Sequence, residues 1–328
     1  MPDTEVKSLR NQASAIATAL KADAYLVYVT STREPANAFG GSVALDVVPY
    51  LAEQLHGMGK KKRLALCLHT NGGDISAPWP LVSLLREYCE ELQVVVINRA
   101  LSAGTLISVA ADSIVMCPGS FLSPIDPQAH VLINGQQRGV EVEDVTGYLE
   151  FAKSKAGLTG GAGLEGAFKD LTGEIPPTII GSLFRTHALI RSLASKMLGT
   201  RKQKLDGSAE KQIIEHLTEK LFSHKHLISR SEAKTYVGLG DTILFAKGDL
   251  EVTIDNFATG LRSAMKLDQL FNPKQLLGSQ NQYTEKVVRA CLFSATSRVF
   301  FKSDVSVTKD QNGINVNVND LGWVKEDK

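Results

Sequence analysis

The sequence predicts an α/β fold with a mainly parallel sheet, and three observations lead to this prediction. Short runs that are wholly apolar or β-branched occupy residues 25–30, 64–68, 94–97 and 114–116. Stretches with apolar residues at helical spacing separate these runs. Strands without polar alternation are typical of sheets covered by helices on both faces, which right-handed β-α-β units build.

The first half of the chain supplies this alternation. In chain order we expect a helix up to residue 16, strand 25–30, helix 43–55, strand 64–68, turn 70–74, helix 81–91, strand 94–97, helix 105–111 and strand 114–116. Gly57 and Gly59 end the helical pattern that precedes the second strand, as glycines commonly do.

The second half changes in character. From about residue 142 we expect a helix, then a glycine-rich mobile loop or surface excursion over 157–173, then helices over 178–198, 208–222 and 261–270. Alternating apolar residues flank an Asn-Gly pair at 312–313, which is a strong hairpin signal. We therefore expect a core over 1–245 with a helical insertion at about 142–222, and a C-terminal appendage of helix plus β-hairpin over 246–328.

Composition and charge narrow the functional classes. The 328 residues are 43% hydrophobic and 22% charged, which is ordinary for a globular protein. The formal net charge of +1 indicates no polyanionic partner, and the basic cluster at 60–63 precedes a strand and reads as a solvated loop. We expect no nucleic-acid partner.

The cysteines and the N-terminus indicate a location. Cys67, Cys89, Cys117 and Cys291 show no C-x-x-C spacing and read as buried thiols in a reducing compartment. The first residues lack the basic and apolar regions of a signal peptide, and no apolar stretch is long enough to span a bilayer. We therefore expect a cytoplasmic protein without an integral membrane segment.

Two turns stand where chemistry is expected, because parallel sheets bind ligands beyond the carboxyl ends of their strands. Gly72 and Gly73 lack a Cβ, so the backbone there is free to aim an N–H at a ligand. Ser102 follows the third strand, and the Ala103 N–H opens the next helix. Gly73 and Ala103 would stabilise an oxyanion if Ser102 attacked a carbonyl. The pattern alone favours the simpler interpretation of Ser102 as a helix cap.

A resemblance favours the first interpretation. The runs at 64–74, 100–107, 110–116, 122–128 and 221–239 together resemble the serine dehydrogenase proteinase family, Clp-fold relatives of signal peptide peptidase A and of the Clp protease subunit. The resemblance implies a Clp/crotonase-like core, Ser102 as nucleophile, Gly72 and Gly73 in the oxyanion hole, and a homo-oligomer.

The general base is harder to assign. The Clp protease has a histidine where residues 125–128 read Ile-Asp-Pro-Gln, and we expect Asp126 to cap or position the loop. Signal peptide peptidase A uses a lysine, and Lys153 and Lys155 lie at a comparable distance along the chain; such a lysine must be buried to be neutral. The segment 223–226, Ser-His-Lys-His, offers His226 as a third candidate.

We therefore predict an ATP-independent serine peptidase with Ser102, a lysine or histidine base, and a peptide or protein substrate paired along a strand edge. No cofactor is expected, and His226 with its neighbouring histidine lacks further ligands at metal-site spacing. Two alternatives stay open: a catalytically silent Clp-fold scaffold or binding protein, and a crotonase-like acyl-CoA enzyme. A serine after the third strand counts against the second.

Overall fold

The computed structural model describes residues 1, 3–126, 128–133, 136–221, 223–311 and 313–326. The strands are β1 (Ala24–Thr30), β2 (Lys61–Thr70), β3 (Cys89–Ala100), β4 (Ser113–Met116), β5 (Phe121–Leu122), β6 (Gln128–Ile133), β7 (Gln136–Glu141), β8 (Ile228–Ser229), β9 (Ile243–Phe245), β10 (Gln282–Phe293), β11 (Arg298–Asp310) and β12 (Gly313–Lys325). The helices are α1 (Asp3–Ala19), α2 (Ala36–Phe39), α3 (Val48–Met58), α4 (Pro78–Tyr88), α5 (Ala103–Val109), α6 (Val142–Ser154), α7 (Gly161–Glu174), α8 (Pro177–Gly199), α9 (Gly207–Thr218), α10 (Arg230–Thr235), α11 (Asp249–Ala264) and α12 (Pro273–Leu277).

One large sheet organises the chain, in the order β12-β11-β10-β1-β2-β3-β4-β9. The strands from β1 to β9 in this order run parallel, and β10, β11 and β12 continue the sheet antiparallel beyond β1. The parallel part confirms the α/β prediction, and the predicted strands at 25–30, 64–68, 94–97 and 114–116 lie within β1 to β4.

Helices cover both faces of the sheet, which explains why its central strands lack polar alternation. Along β1, Leu26 and Tyr28 pack with α3, α4, α5 and α8 on one face, whereas Val27 and Val29 pack with α1 and α11 on the other. Burial of two apolar faces at about 25 cal/mol per Å² is the main stabilising contribution here. The four cysteines are buried and free, as expected.

The glycine-rich stretch, predicted as a mobile loop or a surface excursion, is largely helical, so the loop alternative was wrong. Residues 161–174 form α7, whose Leu171 packs with Val145 of α6 and Leu183 of α8 in a small separate cluster. Each glycine costs a helix about 1 kcal/mol relative to alanine, so tertiary packing of this apolar stripe offsets the poor intrinsic propensity.

The C-terminal β-rich part is present and extends the central sheet, because β10 pairs antiparallel with β1. The hairpin signal is confirmed: β11 and β12 pair from Val299–Lys325 to Asp310–Gly313. The helix predicted at 261–270 instead begins at Asp249 and packs against α1. The division between residues 245 and 246, which falls between β9 and α11, stays a prediction.

No helix within the described residues combines the length and the apolar character that crossing a bilayer requires.

Candidate active site

The Ser102 turn joins the end of β3 to the start of α5. Ser102 has φ 49° and ψ −111°, a conformation that L residues adopt only where the surrounding structure imposes it. Its side chain makes no capping hydrogen bond to α5 within the described chain. The helix-cap interpretation of Ser102 therefore finds no support, and the hydroxyl is left available for other partners.

A small hydrogen-bond network fixes this backbone conformation. The Ser102 N–H donates to the hydroxyl of Ser123 at 2.8 Å, and that hydroxyl donates to the Pro124 carbonyl at 2.9 Å. The Ser123 N–H in turn donates to Thr105 Oγ1 at 3.0 Å, inside α5. Ser123 is buried. The segment after β5 thus fixes the Ser102 turn through its backbone N–H, and the Ser102 side chain takes no part in these hydrogen bonds.

The Gly72–Gly73 turn lies directly against the Ser102 turn. Gly72 has φ +102°, and a Cβ built there would be 2.9 Å from Ser102 Cβ and 3.4 Å from Ala103 N. Val43 forms a parallel bridge with Gly73: the Val43 N–H donates to Gly72 O and the Asp74 N–H donates to Val43 O, both at 2.8 Å. This pattern turns the Gly73 N–H away from Val43 and toward the β3 side.

Two backbone donors are therefore available beside Ser102. Neither the Gly73 N–H nor the Ala103 N–H has a hydrogen-bond acceptor among the residues that the structure describes. Ala103 N is also the first amide of α5, where the orphan donors of a helix concentrate positive potential. The arrangement suits an oxygen that develops negative charge.

His69, at the end of β2, is a structural residue. Its Nδ1 lies 2.6 Å from Ile97 O and its Nε2 3.3 Å from Thr32 Oγ1, across three neighbouring chain segments. Burial lowers the pKa of His69 to about 4, so its ring is neutral near pH 7. Both nitrogens are engaged, which leaves no free lone pair to accept a proton.

The two lysines predicted as bases are on the surface. Lys153 is in the last turn of α6 and Lys155 follows it, and both are exposed. Helix α6 packs against α7, α8 and β7. The burial that a neutral lysine requires is therefore not found in this chain, contrary to the expectation, because the apolar stripe of α6 points its Ala152 inward and the lysines outward.

His226 is engaged elsewhere. Its Nε2 lies 2.7 Å from Glu232 Oε1, and Glu232 forms a capping box with Ser229 at the start of α10. No hydrogen bond joins His226 to the Ser102 turn in the described part of the chain. The capping of α10 accounts for the position of this histidine.

His224, which the sequence did not single out, contacts the segment that follows β5. Strands β5 and β8 pair antiparallel, with Leu122 opposite Ile228. Continuing this register four residues along each chain puts Asp126 opposite His224, and His224 Nδ1 lies 3.0 Å from Asp126 Oδ1. Asp126 is only 6% exposed, and the expectation that it caps or positions the loop stays a prediction.

The Asp126 carboxylate controls the charge of this histidine. Its hydrogen bond and negative charge raise the pKa of His224 above the ordinary 6.5, although burial acts in the opposite direction. The Nδ1 contact leaves Nε2 as the free ring nitrogen, and no partner for it occurs among the described residues. An Nδ1 proton held by a carboxylate leaves Nε2 as a proton acceptor.

Carboxylates gather next to Asp126. One oxygen from each of Asp126, Glu141 and Glu143 lies within 4.8 Å of the others. Hard cations prefer oxygen ligands of this kind, but Asp126 already binds His224, and an acidic trio alone does not define a metal site. The expectation of no metal stays a prediction.

Residues 53–136 match the model of the ClpP-like SDH-type serine proteinase family. Two uncharacterized proteins of Methanocaldococcus jannaschii are similar in sequence. MJ0137 is 41% identical over 69 residues, which are 21% of this chain and 24% of that protein. MJ1495 is 33% identical over 97 residues, which are 28% of this chain and 33% of that protein. The chain thus matches a quarter to a third of the length of these relatives.

Solved structures are also similar. A variant of the membrane-bound stomatin-specific protease 1510-N is 17% identical with a TM-score of 0.39, covering 65% of this chain and 78% of that one. ClpP1 from Listeria monocytogenes is 15% identical with a TM-score of 0.37, covering 68% and 94%. The family match spans Gly72, Gly73 and Ser102, and it confirms the resemblance to Clp-fold serine proteinases that the sequence indicated.

Proposed function

We propose that the protein is a serine peptidase in which Ser102 is the nucleophile, His224 the general base and Asp126 the residue that orients the histidine. The observation that carries this proposal is the hydrogen bond between His224 and Asp126, on a segment whose Ser123 also holds the Ser102 backbone. A serine hydroxyl needs a base to take its proton, and a free imidazole nitrogen is suited to that task near neutral pH.

The reaction then follows from the groups at the site. Ser102 Oγ attacks the peptide carbonyl carbon while its proton moves to His224 Nε2. The carbonyl oxygen becomes negative and accepts hydrogen bonds from the N–H groups of Gly73 and Ala103. Asp126 stabilises the imidazolium, which next protonates the leaving amine. Water then attacks the acyl-enzyme while its proton moves to His224 Nε2. The imidazolium returns this proton to Ser102 Oγ as the bond between Ser102 and the acyl group breaks.

This assignment replaces the lysine base expected from the sequence. Along the chain the order is serine, aspartate, histidine, so the position after the fourth strand supplies the acid and the late segment supplies the base. Lys153, Lys155 and His226 remain alternatives that the variants below separate from His224. A homo-oligomer, a peptide paired with a strand edge, independence from ATP and a cytoplasmic location stay predictions.

Fluorophosphonate labelling tests the proposal. We expect the wild type to be labelled at Ser102, and Ser102→Ala to lose the label while keeping its circular dichroism spectrum. Ser154→Ala, on an exposed turn of α6, is the matched control and should label as the wild type does. A folded wild type that resists the label would favour the silent scaffold. Binding of an acyl-CoA without labelling would favour the crotonase-like enzyme.

A further inference from the structure

A cavity opens between α6, α8 and the end of α9. Its volume is about 570 Å³, and its walls come from the first turns of α6, from the middle of α8 and from the residue that follows α9. Val142 and Phe184 give it apolar surface, and Glu143, Glu150 and Glu219 give it carboxylates. The space accommodates one large side chain of a bound peptide.

One wall residue of the cavity lies near the proposed Asp126–His224 pair. An oxygen of Glu143, on its wall, lies within 4.8 Å of an oxygen of Asp126. Asp126 in turn binds His224 at 3.0 Å. The cavity is therefore connected to the proposed base through Glu143 and Asp126.

Glu143 has no ion-pair partner of its own among the described residues. Glu219 is already paired with Arg191 and lies 3.6 Å from His187, whereas Glu143 Oε2 is buried and has no hydrogen-bond partner within the described residues. Burial lowers the pKa of His187, so this ring adds no positive charge near pH 7. The remaining neighbours, Asp126 and Glu141, are acidic.

We propose that this cavity binds a basic side chain, lysine or arginine, of the peptide substrate, with Glu143 as its counter-ion. The inference rests on the proposed function for its choice of ligand. The apolar walls contact the aliphatic stem of such a side chain, and the carboxylate supplies the missing partner for its cationic end. Burial, followed by the charges of Asp126, Glu141 and Glu219, raises the pKa of Glu143 to about 7, which a bound cation would reverse.

A peptide pair tests this inference. Alanine-rich decapeptides carry one arginine, or one citrulline of the same shape without the charge, at successive positions. Binding to Ser102→Ala is measured by fluorescence anisotropy, and kcat/KM is measured with the wild type. At one position we expect a preference for arginine of about tenfold. Glu143→Gln should reduce it to about twofold or less. Glu174→Gln, an exposed charge change on α7 away from the cavity, should retain it.

The pH dependence of the wild type gives a second readout. The arginine-to-citrulline ratio of kcat/KM should rise as the pH increases through about 7, because ionised Glu143 binds the cation. His224 affects both peptides equally and cancels in this ratio. His187, Arg191 and the acids Asp126, Glu141 and Glu219 also face this region, so Glu143→Gln must abolish the rise.

The outcomes separate the two proposals. Equal binding of both peptides at every position, no binding of either, or a preference that Glu143→Gln leaves intact would overturn the cavity assignment. If Ser102 is not labelled and no peptide is cleaved, yet the Glu143-dependent preference persists in binding, the peptidase proposal fails and the cavity assignment holds.

Discussion

The two sides of the proposed site are held by different kinds of structure. The nucleophile side consists of the turns at 70–74 and 100–104, which follow the neighbouring strands β2 and β3 of the central sheet. Ala103 and Gly104 are buried there, and the Gly72 turn lies against Ser102. The base side joins Asp126 to His224, 98 residues apart along the chain, through two-residue strands and one hydrogen bond.

The difference indicates how each side responds to change. Atoms added to the nucleophile side meet backbone within 3 Å, so substitutions there should affect both stability and activity. The His224 side chain is 26% exposed and bonds the buried Asp126, so its loss should affect activity far more than stability. Variants on the two sides should therefore differ in how activity and stability respond.

Replacing His224 should have the largest effect on activity. We expect His224→Ala to lower kcat by about 10⁴-fold, since it removes the general base. The free energy of unfolding should fall by about 1–2 kcal/mol, since the buried Asp126 loses its partner. Lys153→Ala and His226→Ala are the controls, and each should retain activity within about twofold. Peptide hydrolysis with single-turnover kinetics measures these rates. If Lys153→Ala loses activity and His224→Ala keeps it, Lys153 rather than His224 is the general base.

Replacing Asp126 should combine a rate effect with a pH effect. Asp126→Asn should lower the plateau of kcat by about 10³-fold, because an amide can hold the imidazole in the wrong tautomer. The base must be neutral, so activity rises as the pH passes upward through the pKa of His224, which Asp126 raises above 6.5. Removing the carboxylate should move this midpoint of kcat/KM to lower pH. A midpoint that stays in place would assign the titration to another group.

The residues of the nucleophile side could be predicted from the sequence because the patterns that indicate them are local. Ser102, Gly72 and Gly73 each follow a buried strand directly, and buried strands are recognised by short apolar runs. The α/β core was predicted for the same reason. The polar pair on the other side has no such signal, because β5 and β8 contain two residues each and their pairing depends on the whole intervening chain.

Two further residues illustrate the limit. We expected His226 to be the base, from the same segment that contains His224. His226 instead bonds Glu232, which caps α10, and only the three-dimensional register distinguishes the two histidines. Gly157 and the glycines after it indicated a loop, whereas packing of Leu171 against α6 and α8 stabilises a helix. In both cases a contact distant in sequence overrides a local pattern.

Adding a methyl group at Gly72 should lower both the activity and the stability of the nucleophile side. Gly72→Ala places a Cβ 2.9 Å from Leu101 O and from Ser102 Cβ, at a φ of +102°. We expect kcat to fall by about 10²-fold, because the oxyanion donors shift. The free energy of unfolding should fall by about 2 kcal/mol. Gly119→Ala, where the added atom meets nothing within 4 Å, is the matched control. Full activity of Gly72→Ala would exclude close contact between the two turns during catalysis.

Removing the Ser123 hydroxyl should have the smallest effect, and it tests the link between the two sides. Ser123→Ala leaves the Ser102 N–H without its acceptor at 2.8 Å, so the strained turn loses one restraint. We expect kcat to fall about fivefold with KM unchanged, and the free energy of unfolding to fall by about 1 kcal/mol. Ser113→Ala is the matched control, because Ser113 is buried with an unpartnered hydroxyl among the described residues. A merely structural Ser123 would lower stability without changing kcat, and the two sides would then be positioned independently.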